Sequence, residues 1–167
     1  MTLPTLCLGD RKPAAIKYAE AQGLADEWYP GWDPLSIPDL DGIVSPANTI
    51  GEMSGGYDLT LRNAYQRQKI AIQPIIQSSI RSTPIFLGDA RAIRVGGDIP
   101  WIIVVPTVIG KNDRFGLMQS ITPGPDIVSK ATYNMMIASL NAGLRRIGTV
   151  LLGAGVGGLN YMESVNA

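Results

Sequence analysis

The sequence predicts an α/β sandwich with a mixed, largely parallel sheet. Short runs rich in Ile, Val and Leu alternate along the 167 residues with segments in which apolar side chains recur every three or four positions. The chain is 46% hydrophobic, which suffices for one core at this length. No internal repeat or low-complexity tract interrupts the pattern. We therefore expect a single domain over residues 1–167.

A strand and a helix open the chain. Thr5–Leu8 is an apolar run that predicts a short buried strand. The segment 10–22 predicts a helix, because Pro13 suits its first turn and Gly23 suits its end. Residues 26–41 are rich in Pro, Trp and Asp without a clear period, so we expect mostly loop with at most one short strand.

The middle of the chain repeats this alternation. Gly42–Ser45 predicts a second buried strand, and an amphipathic helix is expected to follow Gly55–Gly56. Pro74 should break or kink that helix, because proline lacks the N–H that an interior turn needs. A second short helix is predicted near Ile75–Ile80.

The second half adds further strands and one clear helix. Three runs bounded by Gly or Pro predict strands at Ile85–Leu87, Ala92–Val95 and Trp101–Val105. The clearest remaining helix is Asp126–Ala142, which Gly143 closes. Thr149–Leu152 is predicted as the final strand, and a helix start is expected near Tyr161–Ser164.

Charge and composition exclude several classes of function. The chain has 14 Lys and Arg against 14 Asp and Glu, so no net field favours a polyanion, and we expect no nucleic-acid partner. No signal peptide is readable, and the longest apolar run, Ile99–Ile109, is too short to span a membrane and contains two prolines. We expect a cytoplasmic protein without a membrane partner. Cys7, the single cysteine, is expected to be a buried thiol in a reducing compartment.

The sequence contains no histidine, which limits the available chemistry. A Ser-His-Asp triad, a Cys-His pair and a zinc site with histidine ligands are all excluded. Any reaction must use carboxylates, amides, hydroxyls, the backbone and water. We expect no metal ion and no cofactor.

Two loops with several glycines follow predicted strands. In an open α/β sheet, ligands bind outside the carboxyl ends of the strands, where helix N-termini present N–H groups to anions. Gly153–Gly158 can form a nest of N–H groups for a diphosphate, although a glycine-rich structural turn has the same sequence pattern. In the earlier loop the Asn48 amide suits ribose hydroxyls, and Asp58 falls in the first turn of a helix. The alternative is that Asn48 caps a turn and Asp58 caps the helix.

The segment 41–58 reads Asp-Gly-Ile-Val-Ser-Pro-Ala-Asn-Thr-Ile-Gly-Glu-Met-Ser-Gly-Gly-Tyr-Asp and resembles the signature of macro domains, the ADP-ribose-binding family. Its Ser-Pro-Ala-Asn is similar to that of a bacterial and phage-like branch. The resemblance continues through Leu87–Ala90, Trp101–Thr107 and the glycine loop Gly153–Gly158. It implies a three-layer α/β/α sandwich and ADP-ribose or a derivative as ligand.

The resemblance also implies a set of site residues. Around the distal ribose and its phosphate it places Ser45, Ala47, Asn48, Gly55, Gly56 and Tyr57. Around the diphosphate it places Gly153, Ala154, Gly155, Val156, Gly157 and Gly158. Asp58 falls where several ADP-ribosyl hydrolases of the family carry a functional aspartate, so Asp58 and Asn48 are the predicted catalytic residues. Tyr161, just after the second loop, is a candidate for stacking on the ligand.

Two departures from the family pattern change the expectations. The family's Gly-Asp-Ile supplies an aspartate to the adenine amino group, and the matching stretch here is Leu35-Ser36-Ile37. Ser36, or Asp33 slightly upstream, would have to substitute, which puts adenine selectivity in doubt. The sequence also stops at Ala167, about two turns into the last expected helix. From this we expect an incomplete final helix, with three alternatives: a truncated chain, a short cap that the native protein tolerates, or self-association over the face that the helix leaves uncovered.

Three functions are consistent with these observations. The first is binding of ADP-ribose with hydrolysis of a derivative at the distal ribose C1″: a 1″-phosphate, an acyl ester or an ADP-ribosyl carboxylate. The protein would then be an ADP-ribosyl hydrolase or an ADP-ribose-1″-phosphate phosphatase, with Asp58 orienting water. The second is a reader or sequestering module that binds the same ligand, or a related signalling nucleotide, without chemistry. A fragment of a dinucleotide-binding oxidoreductase is the third, and the first strand-helix turn, Leu8–Lys12, lacks the glycine fingerprint that it requires.

Overall fold

The computed structural model describes residues 2–110, 124–154 and 159–166, and one six-stranded sheet lies at its centre. The strands are β1 (Thr5–Asp10), β2 (Glu27–Pro30), β3 (Gly42–Ser45), β4 (Arg91–Arg94), β5 (Trp101–Val104) and β6 (Arg146–Thr149). Their order in the sheet is β2-β1-β6-β3-β5-β4. Every neighbouring pair is parallel except β4 and β5, which are antiparallel. The predicted mixed, largely parallel sheet is confirmed.

Helices cover both faces of the sheet. They are α1 (Pro13–Ala21), α2 (Gly56–Arg67), α3 (Ile72–Ser82), α4 (Pro125–Asn141) and α5 (Tyr161–Val165). Successive strand residues point to opposite faces. Ile43 of β3 therefore packs in the core with α2 and α3, whereas its neighbour Val44 packs in the core with α4. A third cluster joins β1 to α1 and α5 through Leu8, Ile16 and Val165. The α/β/α sandwich is confirmed, and none of the helices described is long and apolar enough to cross a membrane.

Several predicted elements have the predicted bounds within a few residues. Strand β3 is as predicted, and α4 differs by one residue at each end from the predicted helix. Helix α1 begins at Pro13 rather than near residue 10, because β1 continues to Asp10. The Asp10 carboxylate then accepts a hydrogen bond from the Lys12 N–H at 2.7 Å, which turns the chain from strand to helix.

The break between α2 and α3 lies earlier than predicted. Helix α2 ends at Arg67, and Lys69 adopts the left-handed conformation with φ of 63°. Pro74 lies in the first turn of α3, where a backbone N–H would have no intrahelical acceptor. The lack of an N–H in proline therefore removes no hydrogen bond of the helix. The prediction that Pro74 itself breaks the helix is therefore wrong.

The predicted strand Ile85–Leu87 is also wrong, because this segment forms a turn. The Phe86 N–H donates to the Asp89 carboxylate at 3.0 Å, and the Asp89 N–H donates to the Phe86 carbonyl at the same distance. Gly88 has a φ of 77°, which favours glycine. Ile85 is nonetheless buried, so the apolar residue at this position indicates contact with the core and not a strand.

The last strand begins three residues before its predicted start. Strand β6 is Arg146–Thr149, and Val150–Leu152 already belong to the loop that leaves the sheet. Arg146 forms a two-pronged ion pair with Glu27 of β2 and donates to the Tyr29 hydroxyl at 2.7 Å. These partners, which lie more than a hundred residues away in sequence, allow a charged side chain to begin the strand.

Candidate functional site

A cleft of about 550 Å³ opens at the carboxyl ends of the parallel strands. Its walls come from the segments that follow β1, β2, β3, β5 and β6 and from the start of α2. This is the edge at which open α/β sheets bind ligands, and the volume is within the usual range for small-molecule sites. The structure thus brings residues of the loop after β3 and the two described residues that flank 155–158, Ala154 and Leu159, to one cleft.

Many of the predicted site residues line this cleft: Asp33, Asn48, Gly55, Gly56, Tyr57, Asp58, Ala154 and Tyr161. Ser45 and Ala47 are buried behind its wall, and Gly153 is buried at the start of the second loop. Ser36 is exposed and does not line the cleft, so Asp33 is the residue of that pair that faces it. Gly155, Val156, Gly157 and Gly158 lie outside the described residues.

Asn48 closes the turn that follows β3. Its side-chain oxygen accepts hydrogen bonds from the Ile50 N–H at 3.2 Å and the Glu52 N–H at 3.1 Å. Its side-chain Nδ2 donates to the Glu52 carbonyl at 2.8 Å. This ring of bonds fixes the backbone of residues 48–52, with Asn48 4% exposed. The capping role that the sequence left open for Asn48 is therefore present, and Asn48 also lines the cleft.

Asp58 is a buried carboxylic acid in the first turn of α2. It is 6% exposed, and its Oδ1 accepts a hydrogen bond from the Ser45 hydroxyl at 2.6 Å. Burial raises the pKa of Asp58 to about 7, and the Ser45 hydrogen bond opposes this by stabilising the charged form. Near neutral pH both protonation states are populated, which suits a group that exchanges a proton during catalysis.

The N-terminus of α2 faces the cleft without a side-chain cap. Gly55, at the N-cap position, makes no side-chain cap hydrogen bond and has an extended backbone with φ of −149°. The first N–H groups of a helix have no intrahelical acceptor, and together with the helix dipole they favour an anion. A Cβ added at Gly55 would meet no atom within 4 Å.

Residues on either side of 155–158 form another wall of the cleft: Ala154 before them, and Leu159, Asn160 and Tyr161 after them. The Leu159 N–H donates to the Gly153 carbonyl at 3.2 Å, which brings the two ends of the loop together. Asn160 and Glu163 form a reciprocal capping box that starts α5. Tyr161 packs edge-on against Tyr18 of α1, with 5.9 Å between ring centroids, and lines the cleft beside Asn160.

Polar residues cluster at the end of the cleft near β1 and β2. The Asp33 carboxylate accepts from the Arg11 guanidinium at 2.6 Å, the Tyr57 hydroxyl at 3.2 Å and the Leu35 N–H at 3.1 Å. Burial and the Asp33 charge raise the pKa of the Tyr57 phenol well above its usual range. These contacts tie the start of α2 to the segment after β2.

Sequence reasoning missed several residues of the cleft. Those with polar side chains are Asp10, Arg11, Lys12, Glu52, Thr60, Thr107 and Asn160. Asp10 ends β1, and Arg11 and Lys12 follow it directly, so their position at the carboxyl end of a predicted strand was a usable signal. Within residues 2–110, 124–154 and 159–166, no three His, Cys, Asp or Glu side chains are grouped so that they could hold a metal ion.

Comparisons with known proteins identify the fold. No family model matches the chain. An uncharacterized protein of Aeropyrum pernix is 29% identical over 136 residues, which cover 77% of this chain and 64% of that protein. The chain thus spans less than two thirds of the length of this relative.

Solved macrodomain structures are similar over most of the chain. The macrodomain of Thermus aquaticus DarG has a TM-score of 0.63 at 19% identity, and that of Mycobacterium tuberculosis DarG has 0.62 at 17%. Each similarity covers 81% of this chain and 82% of the other. A Trypanosoma brucei macrodomain has a TM-score of 0.56 at 20% identity, covering 79% of this chain and 48% of the other. The chain therefore has the macrodomain fold.

Proposed function

We propose that this protein binds ADP-ribose in the cleft and hydrolyses an ADP-ribose derivative at C1″ of the distal ribose. The observation that carries the proposal is the uncapped N-terminus of α2, which lines the same cleft as Ala154 and Leu159 of the second loop. N–H groups of a helix start are suited to a diphosphate. The macro-domain signature at 41–58 supplies the ligand class.

The proposed chemistry places Asp58 beside the distal ribose. A water molecule attacks C1″, and Asp58, in its ionised form, takes the water proton. The bond from C1″ to the leaving phosphate or carboxylate oxygen breaks, and that group leaves with the electron pair. Asn48 fixes the adjoining wall through its bonds to the 48–52 turn. General-base assistance of this kind contributes about 10² to 10⁴ in rate.

Binding is tested by calorimetric titration with ADP-ribose, with AMP for comparison. Gly55→Glu places a carboxylate at the start of α2, whereas Gly55→Gln places a neutral side chain of almost the same size there. Both variants should fold, because the site has open space and an extended backbone. Micromolar binding by the wild type should be lost in Gly55→Glu and largely kept in Gly55→Gln. Equal binding by both variants would show that no phosphate lies at this helix start.

Catalysis is tested by release of phosphate from ADP-ribose-1″-phosphate and of acid from an ADP-ribosyl ester. Asp58→Asn should bind substrate as the wild type does and lose at least about 10² in turnover. Because Asp58 acts as the ionised base, the rate should rise with pH through about 7. Full turnover by Asp58→Asn would contradict the assigned role.

A second candidate function is a non-catalytic reader of ADP-ribose. The burial of Asp58 and its hydrogen bond to Ser45 favour it, because they give Asp58 a structural role in joining α2 to β3 that requires no catalysis. Intact ADP-ribose binding without turnover of either type of derivative would select the reader.

A further inference from the structure

The cationic side chains of the cleft lie at one side of it. Among the described residues that line the cleft, the cations are Arg11 and Lys12, which follow β1. On the side of β3 and β5, the charged side chains described in the wall are the acids Glu52 and Asp58. Strand β6 lies between β1 and β3, so the ends of β1 and β3 are about 10 Å apart. The two sides of the cleft therefore differ in charge.

Glu52 lies directly beside Asn48. Its backbone N–H donates to Asn48 Oδ1 at 3.1 Å, and its carbonyl accepts from Asn48 Nδ2 at 2.8 Å. Both residues line the cleft. The proposed function puts the distal ribose between Asp58 and the wall that Asn48 fixes, so Glu52 is adjacent to the distal ribose of a ligand bound in this way.

The Glu52 carboxylate forms no ion pair within the described part of the chain. Its Oε2 accepts from the side-chain amide of Gln73 at 3.5 Å, a weak hydrogen bond. Arg62 donates to the oxygen of the same amide at 3.4 Å and lines a separate cavity between α2 and α3. The nearest of these cations is thus held behind Gln73, and it does not line the cleft.

We infer that Glu52 determines specificity at C1″ by disfavouring a phosphate there relative to an uncharged group such as a hydroxyl or an acyl ester. A phosphate monoester carries a charge of about −1.5 to −2 at pH 7, whereas the hydroxyl and the ester carry none. Like charges that are brought together cost free energy, so the carboxylate is a repulsive element of specificity. This inference rests on the proposed function, because it distinguishes between the derivatives that the same cleft would take.

The test is calorimetric titration with ADP-ribose and with ADP-ribose-1″-phosphate, which differ only in the group at C1″. Both ligands are measured with Asp58→Asn, so that hydrolysis is slow and residue 58 carries no charge. This protein should bind ADP-ribose about tenfold more tightly than the phosphate, a modest value for one like-charge contact. Adding Glu52→Gln should strengthen binding of the phosphate about tenfold and leave ADP-ribose unchanged, because Gln has nearly the same shape without the charge.

Asp10→Asn in the same background is the matched control. Asp10 lines the cleft on the side of β1, and Asn keeps an oxygen that can accept the Lys12 N–H. It should change both affinities by the same factor and keep the tenfold ratio. A second readout is pH. A phosphate monoester has its second pKa near 6, so the ratio measured with Asp58→Asn should shrink between pH 7 and about pH 5.

The outcomes separate this inference from the proposed function. Equal affinities of Asp58→Asn for the two ligands, or tighter binding of the phosphate, overturn the role of Glu52 and leave the proposed function standing. A ratio that Glu52→Gln leaves unchanged also overturns it, because the discrimination would then come from another part of the cleft. A ratio that does not change with pH contradicts repulsion by charge. Failure of the wild type to bind ADP-ribose overturns the proposed function and this inference together.

Discussion

Replacing Asp58 with Asn should stabilise the protein at neutral pH and remove a fall in stability that the wild type shows as pH rises. Asp58 is buried, and its pKa is raised from 3.8 to about 7, mainly by loss of solvation. Asn has nearly the same shape and keeps an oxygen that can accept the Ser45 hydroxyl. The substitution therefore removes the charge with little change in packing.

The size and sign of the effect follow from linkage. Well below pH 3.8 the carboxyl is protonated in both the folded and the unfolded chain, so Asp58 costs the wild type no stability there. As pH rises, the unfolded chain ionises first, and stability falls until the folded form ionises at about 7. A difference of about three pKa units corresponds to roughly 4 kcal/mol. Asp58→Asn should match the wild type near pH 4 and exceed it by up to about that amount above pH 7.

The assay is urea unfolding of both proteins at a series of pH values from about 4 to about 8, with circular dichroism as the measure of the folded fraction. The difference between the two curves isolates Asp58, because every other titrating group is common to both. Asp126→Asn is the control, since Asp126 is an exposed acid that also lies in the first turn of a helix, α4. It should lose about 0.3–1 kcal/mol of stability, the opposite sign, through the helix dipole. A difference between Asp58→Asn and the wild type that does not change with pH would refute the reasoning.

Three further predictions concern the same core. Ser45→Ala removes the hydroxyl that lowers the pKa of Asp58, so the pH midpoint of hydrolysis should move upward, and an unchanged midpoint would contradict the contact. In urea unfolding the same variant should lose about 1–3 kcal/mol of stability. Gly148→Ala should lower the free energy of unfolding by about 1–3 kcal/mol in the same assay, because the new Cβ would lie 2.6 Å from Leu40 Cδ1. Unaltered stability would mean that the Leu40 side chain moves freely. Cys7 is fully buried, which raises its pKa to about 11, so a thiol reagent near pH 8 should react with it only after denaturant is added. Rapid labelling of the native protein would show that the core opens.

Elements defined by local chemistry were predictable from the sequence. Gly42–Ser45 is a short apolar run between a polar segment and a proline, and the structure has a strand there. Gly143 has a φ of 72° just after α4, as expected of a residue that closes a helix. The position of the cleft followed from the same local signals, because the glycine-bearing loops come directly after predicted strands.

Features that depend on contacts distant in sequence were not predictable in this way. The start of β6 depends on the pairing of Arg146 with Glu27, and the local sequence around Arg146 carries no sign of that partner. The engagement of Asp33 by Arg11 and Tyr57 joins three separate segments of the chain. Sequence alone therefore identified Asp33 as a candidate and gave no sign that its carboxylate would accept hydrogen bonds from Arg11 and Tyr57.

The central claim is that the cleft at the carboxyl ends of the strands binds ADP-ribose. An NMR titration of the ¹⁵N-labelled protein with ADP-ribose tests it most directly, because each backbone N–H reports its own surroundings. Saturable shifts should be largest at Gly55, Gly56 and Ala154, which line the cleft, and small at Lys69 and Ile70, which line a separate cavity between α2 and α3. Shifts concentrated at Lys69 and Ile70, or no saturable shift at the start of α2, would contradict the claim.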